Sequence, residues 1–198
     1  MRNLHLGCLE TGLPGWENTD ITPHIFVTRI PGAARLLRSL SLMSRERYEQ
    51  HRRGVFRRVR YLNAAKRFPY AAGTFDNVFS CHMLEHLYRN EAEGCVNEVY
   101  RVLKPGGVFR VIVPDLDIAV REYDGTHPEV FLEKIYVNTQ RRDKNRHHWM
   151  YTAASLGALL SSAGFSKAEL CTYRAGRCPD LDKLDSRPAE SLFMEGVK

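Results

Sequence analysis

Residues 91–114, EAEGCVNEVYRVLKPGGVFRVIVP, decide the fold. Ala92, Cys95, Val96, Val99, Val102 and Leu103 recur at helical spacing, so the first half reads as an amphipathic helix. Asn90 with Glu93 has the form of an N-cap and its N3 partner. Lys104-Pro105-Gly106-Gly107 stops the helix. VFRVIVP, 108–114, follows as a near-continuous apolar strand, the pattern of a sheet covered on both faces.

Strand candidates lie on either side. Upstream are Leu4 to Leu6, GWENTDI from Gly15, Val59 to Leu62, and TFDNVFS from Thr74. Downstream are Ala168 to Tyr173 and Ser191 to Val197. Thr152 has the form of a cap for a helix carrying Leu156, Leu159 and Leu160 inward, with Gly164 past its end. Residues 31–58 read as helical, with Ala34, Leu37, Leu40 and Leu42 as a partly apolar stripe. This order predicts an α/β chain: a mostly parallel seven-stranded sheet, helices on both faces, and a C-terminal antiparallel strand pair. In such sheets ligands bind beyond the carboxyl ends of the strands. Gly7 onward, Asp20, Asn63, Ser80 to His86 and Asp115 all fall there.

Bulk properties narrow the class. The chain has 198 residues, 43% hydrophobic and 26% charged, which suits one domain over 1–198 with a basic helical insertion at about 23–58. No apolar run approaches the roughly 18 residues of a membrane span, and no secretory h-region is visible. Five cysteines without CxxC spacing predict reduced thiols and a cytoplasmic chain. The net charge of +6 is concentrated in Arg45, Arg47, Arg52, Arg53, Arg57, Arg58 and Arg60, with a second cluster at Arg141, Arg142, Lys144 and Arg146. Either cluster is a phosphate-binding surface, a solvated face or an oligomer contact. The basic residues are not interleaved with aromatic stacking platforms, which argues against nucleic acid.

FPYAAGTFDNVFSCHMLEHL (68–87) and EVYRVLKPGGVFRVIVPDL (98–116) closely resemble class I S-adenosylmethionine-dependent methyltransferases, in particular the small bacterial branch with the type 11 domain. LHLGC, GWENTDITP, YLNAAKRFPY, HHWMYTAASLGALLSSAGF and ESLFMEGVK extend the resemblance, in order, over most of the chain. It implies a Rossmann-like fold and S-adenosylmethionine as cofactor, with S-adenosylhomocysteine as product. Gly7 and Cys8 would pass beneath the methionine part, Asp20 would hold the ribose and Ile21 would pack on adenine. Asn63 and Ala64 would lie beside the adenine; Ser80 and His82 would sit near the amino acid end and the sulfonium. Two positions depart from the pattern: Leu9 stands where a second glycine is expected, and Asn63 where Asp is common.

His82, Glu85 and His86 have spacing i, i+3, i+4 and would share one helix face at the mouth of the site, leaving Met83, Leu84 and Leu87 for the buried side. His82 is the first candidate for a general base or substrate contact. His86 is a second catalytic candidate, or with Glu85 only fixes the loop. Asp115 either orients a substrate hydroxyl or caps a helix. His147 and His148, beside Trp149 and Tyr151, could line an acceptor pocket. The expected acceptor is a small molecule, methylated on oxygen first and nitrogen second; the setting of the resembled branch is sugars and secondary metabolites. A phosphate on it would suit the arginines at 45–60. The insertion could be a lid or a homodimer contact. Two other classes compete. Leu9 and Asn63 favour a non-catalytic binding or scaffold protein. His82-Met83-Leu84-Glu85-His86 also fits the inverted zinc-peptidase pattern, with two imidazoles at i, i+4, but a third ligand is not identifiable. No metal is expected.

Overall fold

The computed structural model describes residues 1–137 and 146–198. Its centre is a seven-stranded sheet in the order β3-β2-β1-β4-β5-β7-β6. The strands are β1 (Asn3–Leu6), β2 (Trp16–Asp20), β3 (Val59–Tyr61), β4 (Phe75–Cys81), β5 (Leu103–Pro114), β6 (Lys167–Cys171) and β7 (Ser191–Val197). The first five pair in parallel, and β7 runs antiparallel between β5 and β6. The predicted sheet and its final antiparallel pair are both present.

The sheet's two faces are covered differently. Helices α4 (Arg89–Val102) and α7 (Ala153–Ser162) pack on one. There Ala92, Val96, Val99, Leu156 and Leu160 meet Leu4, Leu6, Val78, Phe109 and Val111 in the main core. The alternation of β5 sends Phe109 and Val111 to this face and Arg110 and Ile112 to the other. On the second face Trp16, Phe79, Ile112 and Phe193 are covered by Cys178, Leu181 and Leu184. The last two belong to α8 (Leu181–Leu184), a single turn within the loop joining β6 to β7.

A buried ionic network holds that loop down. Arg110, with no exposed surface, donates to Asp185 Oδ2 at 2.5 Å and to the carbonyls of Ala175 and Thr172. Asp185 also accepts from the Arg174 amide, and Glu195 on β7 accepts from the amides of Arg177 and Cys178. Loop amides and carbonyls that a helix would satisfy internally are thus paired by side chains of the sheet.

β1 connects to β2 through residues 7–15 with no helix. Sequence and structure part in the insertion and at the start of α4. The insertion is not one helical stretch but α1 (His24–Val27), α2 (Ala33–Ser39), α3 (Arg45–Arg52) and a 3-10 turn (Val55–Arg58). Gly32 and Gly54, at φ +79° and +73°, break the helical path. Its stripe is not buried: Ala34 and Leu37 are half-buried, and Leu40 and Leu42 are exposed. Finally, α4 is capped by Tyr88, two residues before the expected Asn90, with Glu91 accepting from the Tyr88 amide. Among the described residues no helix is long and apolar enough to cross a membrane.

Candidate functional site

Parallel register brings the candidate residues to one edge. Leu6 is level with Thr19 on β2 and with Ser80 on β4, and Asp20 is level with Tyr61. The chain leaving these strands therefore converges at their carboxyl ends.

Gly7 follows β1 at φ +67°, and a Cβ there would meet Met83 Cγ at 2.7 Å. Only glycine admits that approach. Leu9 also has positive φ, +40°, and its amide donates to Asp20 Oδ2 at 2.9 Å. The Thr22 amide donates to Asp20 Oδ1 at 2.7 Å. The carboxylate is thereby fixed, and each oxygen keeps acceptor capacity for a diol. Ile21 beside it is exposed. Cys8 points the other way, into a small core with Ile25 and Val59. Burial, and then the Asp20 charge, push its thiol up to about 12. Only its backbone faces the site.

Asn63 Oδ1 accepts from the Ala65 amide at 2.9 Å, an Asx turn that holds the loop after β3. Ala64 packs on the main core. Ser80 Oγ is fully buried and has no hydrogen-bond partner.

The segment after β4 is not the helix its spacing predicts. His82 is left-handed at φ +49°, and only Leu84–His86 form a 3-10 turn. His82, Glu85 and His86 therefore do not share a helix face. Glu85 is fully buried, not at a mouth, and Leu84 is buried while Met83 and Leu87 are partly so. The inverted zinc-peptidase geometry, which needs His82 and His86 on one helix, does not form.

His82 is instead held in the end of the sheet. Its amide donates to the Ile112 carbonyl at 2.9 Å. Its Nε2 lies 2.9 Å from Ser191 Oγ, and its Nδ1 lies 3.3 Å from Glu85 Oε1. Ser191, the first residue of β7, and the depth of Glu85 were not legible as parts of the site, because both arise from contacts across the sheet.

A cavity of about 460 Å³ opens beside His82. Its walls include Asp115, Glu133, His147, Arg187 and Glu190. Asp115 caps α5 (Leu116–Arg121) by accepting from the Asp117 amide, so the capping role is present and the side chain also faces the cavity. Glu133 belongs to α6 (Pro128–Tyr136). His86 does not line this cavity; its Nδ1 lies 3.2 Å from the Arg146 carbonyl oxygen. His148 stacks on Tyr88, with ring centroids 4.1 Å apart. The arginines of the insertion do not line it either. Arg53, Arg57 and Arg58 border a separate cavity of about 410 Å³ with Glu10 and Asn18. Arg141, Arg142 and Lys144 lie outside the described residues.

Residues 38–111 match the profile of a methyltransferase domain family. The match leaves out β1, β2 and the helix-free loop between them. A possible histamine N-methyltransferase from Thermotoga maritima aligns over 100% of this chain and 82% of its own, at 18% identity and TM-score 0.57. A SAM-dependent methyltransferase from Archaeoglobus fulgidus aligns over 100% and 86%, at 14% identity and TM-score 0.59. The chain carries the class I methyltransferase fold. PigF, solved with SAH, aligns over 100% of this chain and 50% of its own, at 15% identity and TM-score 0.54. No curated protein matches the sequence.

The methyltransferase fold gives the strand-end residues a ligand to be tested against, S-adenosylmethionine. The residues present fit it. A fixed carboxylate stands at Asp20 with an exposed apolar neighbour, Ile21. The backbone at Gly7 admits no side chain, and Ser80 Oγ is a buried hydroxyl without a partner.

Proposed function

We propose that the protein transfers a methyl group from S-adenosylmethionine to a hydroxyl of a small molecule, of the sugar or secondary-metabolite class. The observation that carries this reading is the position of His82, between Ser191 and Glu85 at the edge of the cavity next to the strand ends. The cofactor supplies a methyl group already activated by its sulfonium. The protein's own part is to align an acceptor and take its proton. Alignment can supply about 7–11 kcal/mol in favourable cases.

A hydroxyl must lose its proton as the new bond forms. The Glu85 carboxylate lies 3.3 Å from Nδ1 and Ser191 Oγ lies 2.9 Å from Nε2. With Nε2 as the basic atom, the Ser191 hydroxyl would relay the acceptor's proton to it. Asp115, which lines the same cavity, would orient the acceptor. Asp20 and Ile21 would hold ribose and adenine, and Asn63 and Ala64 the far edge of the base. The backbone at Gly7 and Cys8, with Ser80, would bound the methionine end.

A second reading, transfer to nitrogen, is favoured by one observation. The cavity carries Asp115, Glu122, Glu133 and Glu190 against Lys134 and Arg187, a lining that suits an amine better than an anion.

Calorimetric titration with S-adenosylmethionine and S-adenosylhomocysteine tests the reading. Both should bind saturably, and Asp20→Ala should weaken each at least tenfold. Because Asp20 also holds the amides of Leu9 and Thr22, Asp20→Asn is measured beside it; it keeps one acceptor and should fall between the two. Absence of binding to the wild type would remove the enzyme reading and leave the scaffold reading.

A further inference from the structure

We propose that Glu85, His86 and His147 form a binding site for one divalent transition metal ion of the zinc class. One ligand atom from each lies within 4.8 Å of the others. The two imidazoles are close neighbours, with ring centroids 5.0 Å apart.

Three features prepare these side chains for a metal. First, His147 Nδ1 lies 3.1 Å from the Ile135 carbonyl oxygen, and His86 Nδ1 lies 3.2 Å from that of Arg146. A carbonyl only accepts, so each ring carries its proton on Nδ1 and turns a lone pair outward on Nε2. Backbone carbonyls behind imidazoles are the usual outer shell of metal-binding histidines. Second, His147 Nε2 lies 3.8 Å from Glu85 Oε1, so the free nitrogen faces the carboxylate. Third, Glu85 is fully buried, yet neither carboxylate oxygen makes a hydrogen bond. Leaving a buried charge in that state is costly. His82 Nδ1 at 3.3 Å engages only one oxygen, and without hydrogen-bond alignment.

Two neutral imidazoles and one carboxylate are a borderline donor set, suited to zinc or its neighbours and poorly suited to magnesium or calcium. The site also joins separate pieces of chain. Glu85 and His86 come from the turn after β4; His147 is anchored to α6 through the Ile135 carbonyl. The Glu85 carbonyl further accepts from the amides of His148 and Trp149. A bound ion would pin α6 and residues 146–149 to the end of β4, and so fix the wall of the cavity that Glu133 and His147 line.

The test needs neither cofactor nor acceptor, so it stands apart from the methyl-transfer reading. Chelator-stripped protein is titrated with Co²⁺ and followed by its visible ligand-field bands, then back-titrated with Zn²⁺. One equivalent should bind at micromolar concentration or tighter and be displaced by Zn²⁺ but not by Mg²⁺. Binding should weaken at least tenfold in His86→Ala and in His147→Ala, and stay unchanged in His148→Ala. His147 is buried, so circular dichroism accompanies each variant; His86, half-exposed, decides the matter if His147→Ala fails to fold. A wild type without a saturable first equivalent, or one whose isotherm survives His86→Ala, would overturn the proposal and leave Glu85 as the centre of an ion-pair cluster.

Discussion

His5 shows how a single buried side chain carries a pH dependence. It sits on β1 between the edges of Trp16 and Phe79, and its Nδ1 has no partner. Burial lowers its pKa to about 4 from 6.5. Below about pH 6.5 the unfolded chain takes up a proton there that the folded chain refuses until about pH 4. Stability contributed by His5 is therefore full above pH 6.5 and is lost on acidification through that window, by about 3 kcal/mol in all. His147 is lowered by burial too, against an opposing pull from Glu85, and adds in the same direction. His5→Leu should flatten the fall in urea midpoint between pH 7 and pH 4.5; an unchanged slope would show that other groups carry it. At this scale the sequence was partly legible. Asp20 and Asp115 could be singled out as candidates because one ends a strand and the other follows one, a property of local order. Ser191 and the buried carboxylate of Glu85 were not, because each acquires its role from a strand or turn distant in sequence.

Among the elements, α4 was read to within two residues, while β5 was read from Val108 but begins at Leu103. One has clear helical spacing and the other a continuous apolar run; Lys-Pro-Gly-Gly, which ends the helical pattern, lies within β5, where the register against β4 shifts. The insertion was read less well: its apolar residues have helical spacing but face solvent, and Gly32 and Gly54 turn the chain where spacing implies continuity. The 82–86 segment failed for a different reason, since a left-handed His82 cannot be seen in spacing. The loop over the second face rests on Arg110, Asp185 and Glu195 rather than on a helix. Removing one member of a buried ionic group strands the rest, at about 3–5 kcal/mol. Arg110→Ala should lower the unfolding free energy by that order and expose Cys178 to thiol reagents, since its cover depends on the same loop. Stability within 1 kcal/mol of wild type in chemical denaturation would show that the loop is held by its apolar contacts alone.

Charge and apolar exposure are unevenly divided over the molecule. Residues 23–58 hold nine arginines against two glutamates, leaving the rest of the chain close to neutral. The same segment exposes Phe26, Ile30, Leu36, Leu40 and Leu42. Exposed apolar residues rimmed by charge are the usual mark of an interaction surface, which would suit a homodimer contact, one of the two roles the sequence left open for the insertion. Wild-type protein should show a concentration-dependent mass by light scattering, and the double variant Leu40→Glu, Leu42→Glu should remain monomeric with an unchanged circular dichroism spectrum. A monomeric wild type at every concentration would remove the dimer.

The strand order also sets a timetable for synthesis on the ribosome. β1 is flanked by β2 and β4, and the Asn3–Asn77 contact that ties it to β4 spans 74 residues. β6 touches the sheet only through β7, which comes after it in the chain. Until β7 emerges, β5 keeps an open outer edge and β6 has two, each able to capture a neighbouring nascent chain. With β6 made and β7 still in the tunnel, the nascent protein exposes these three unpaired edges at once, the moment at which a chaperone that shields unpaired strands would raise its yield.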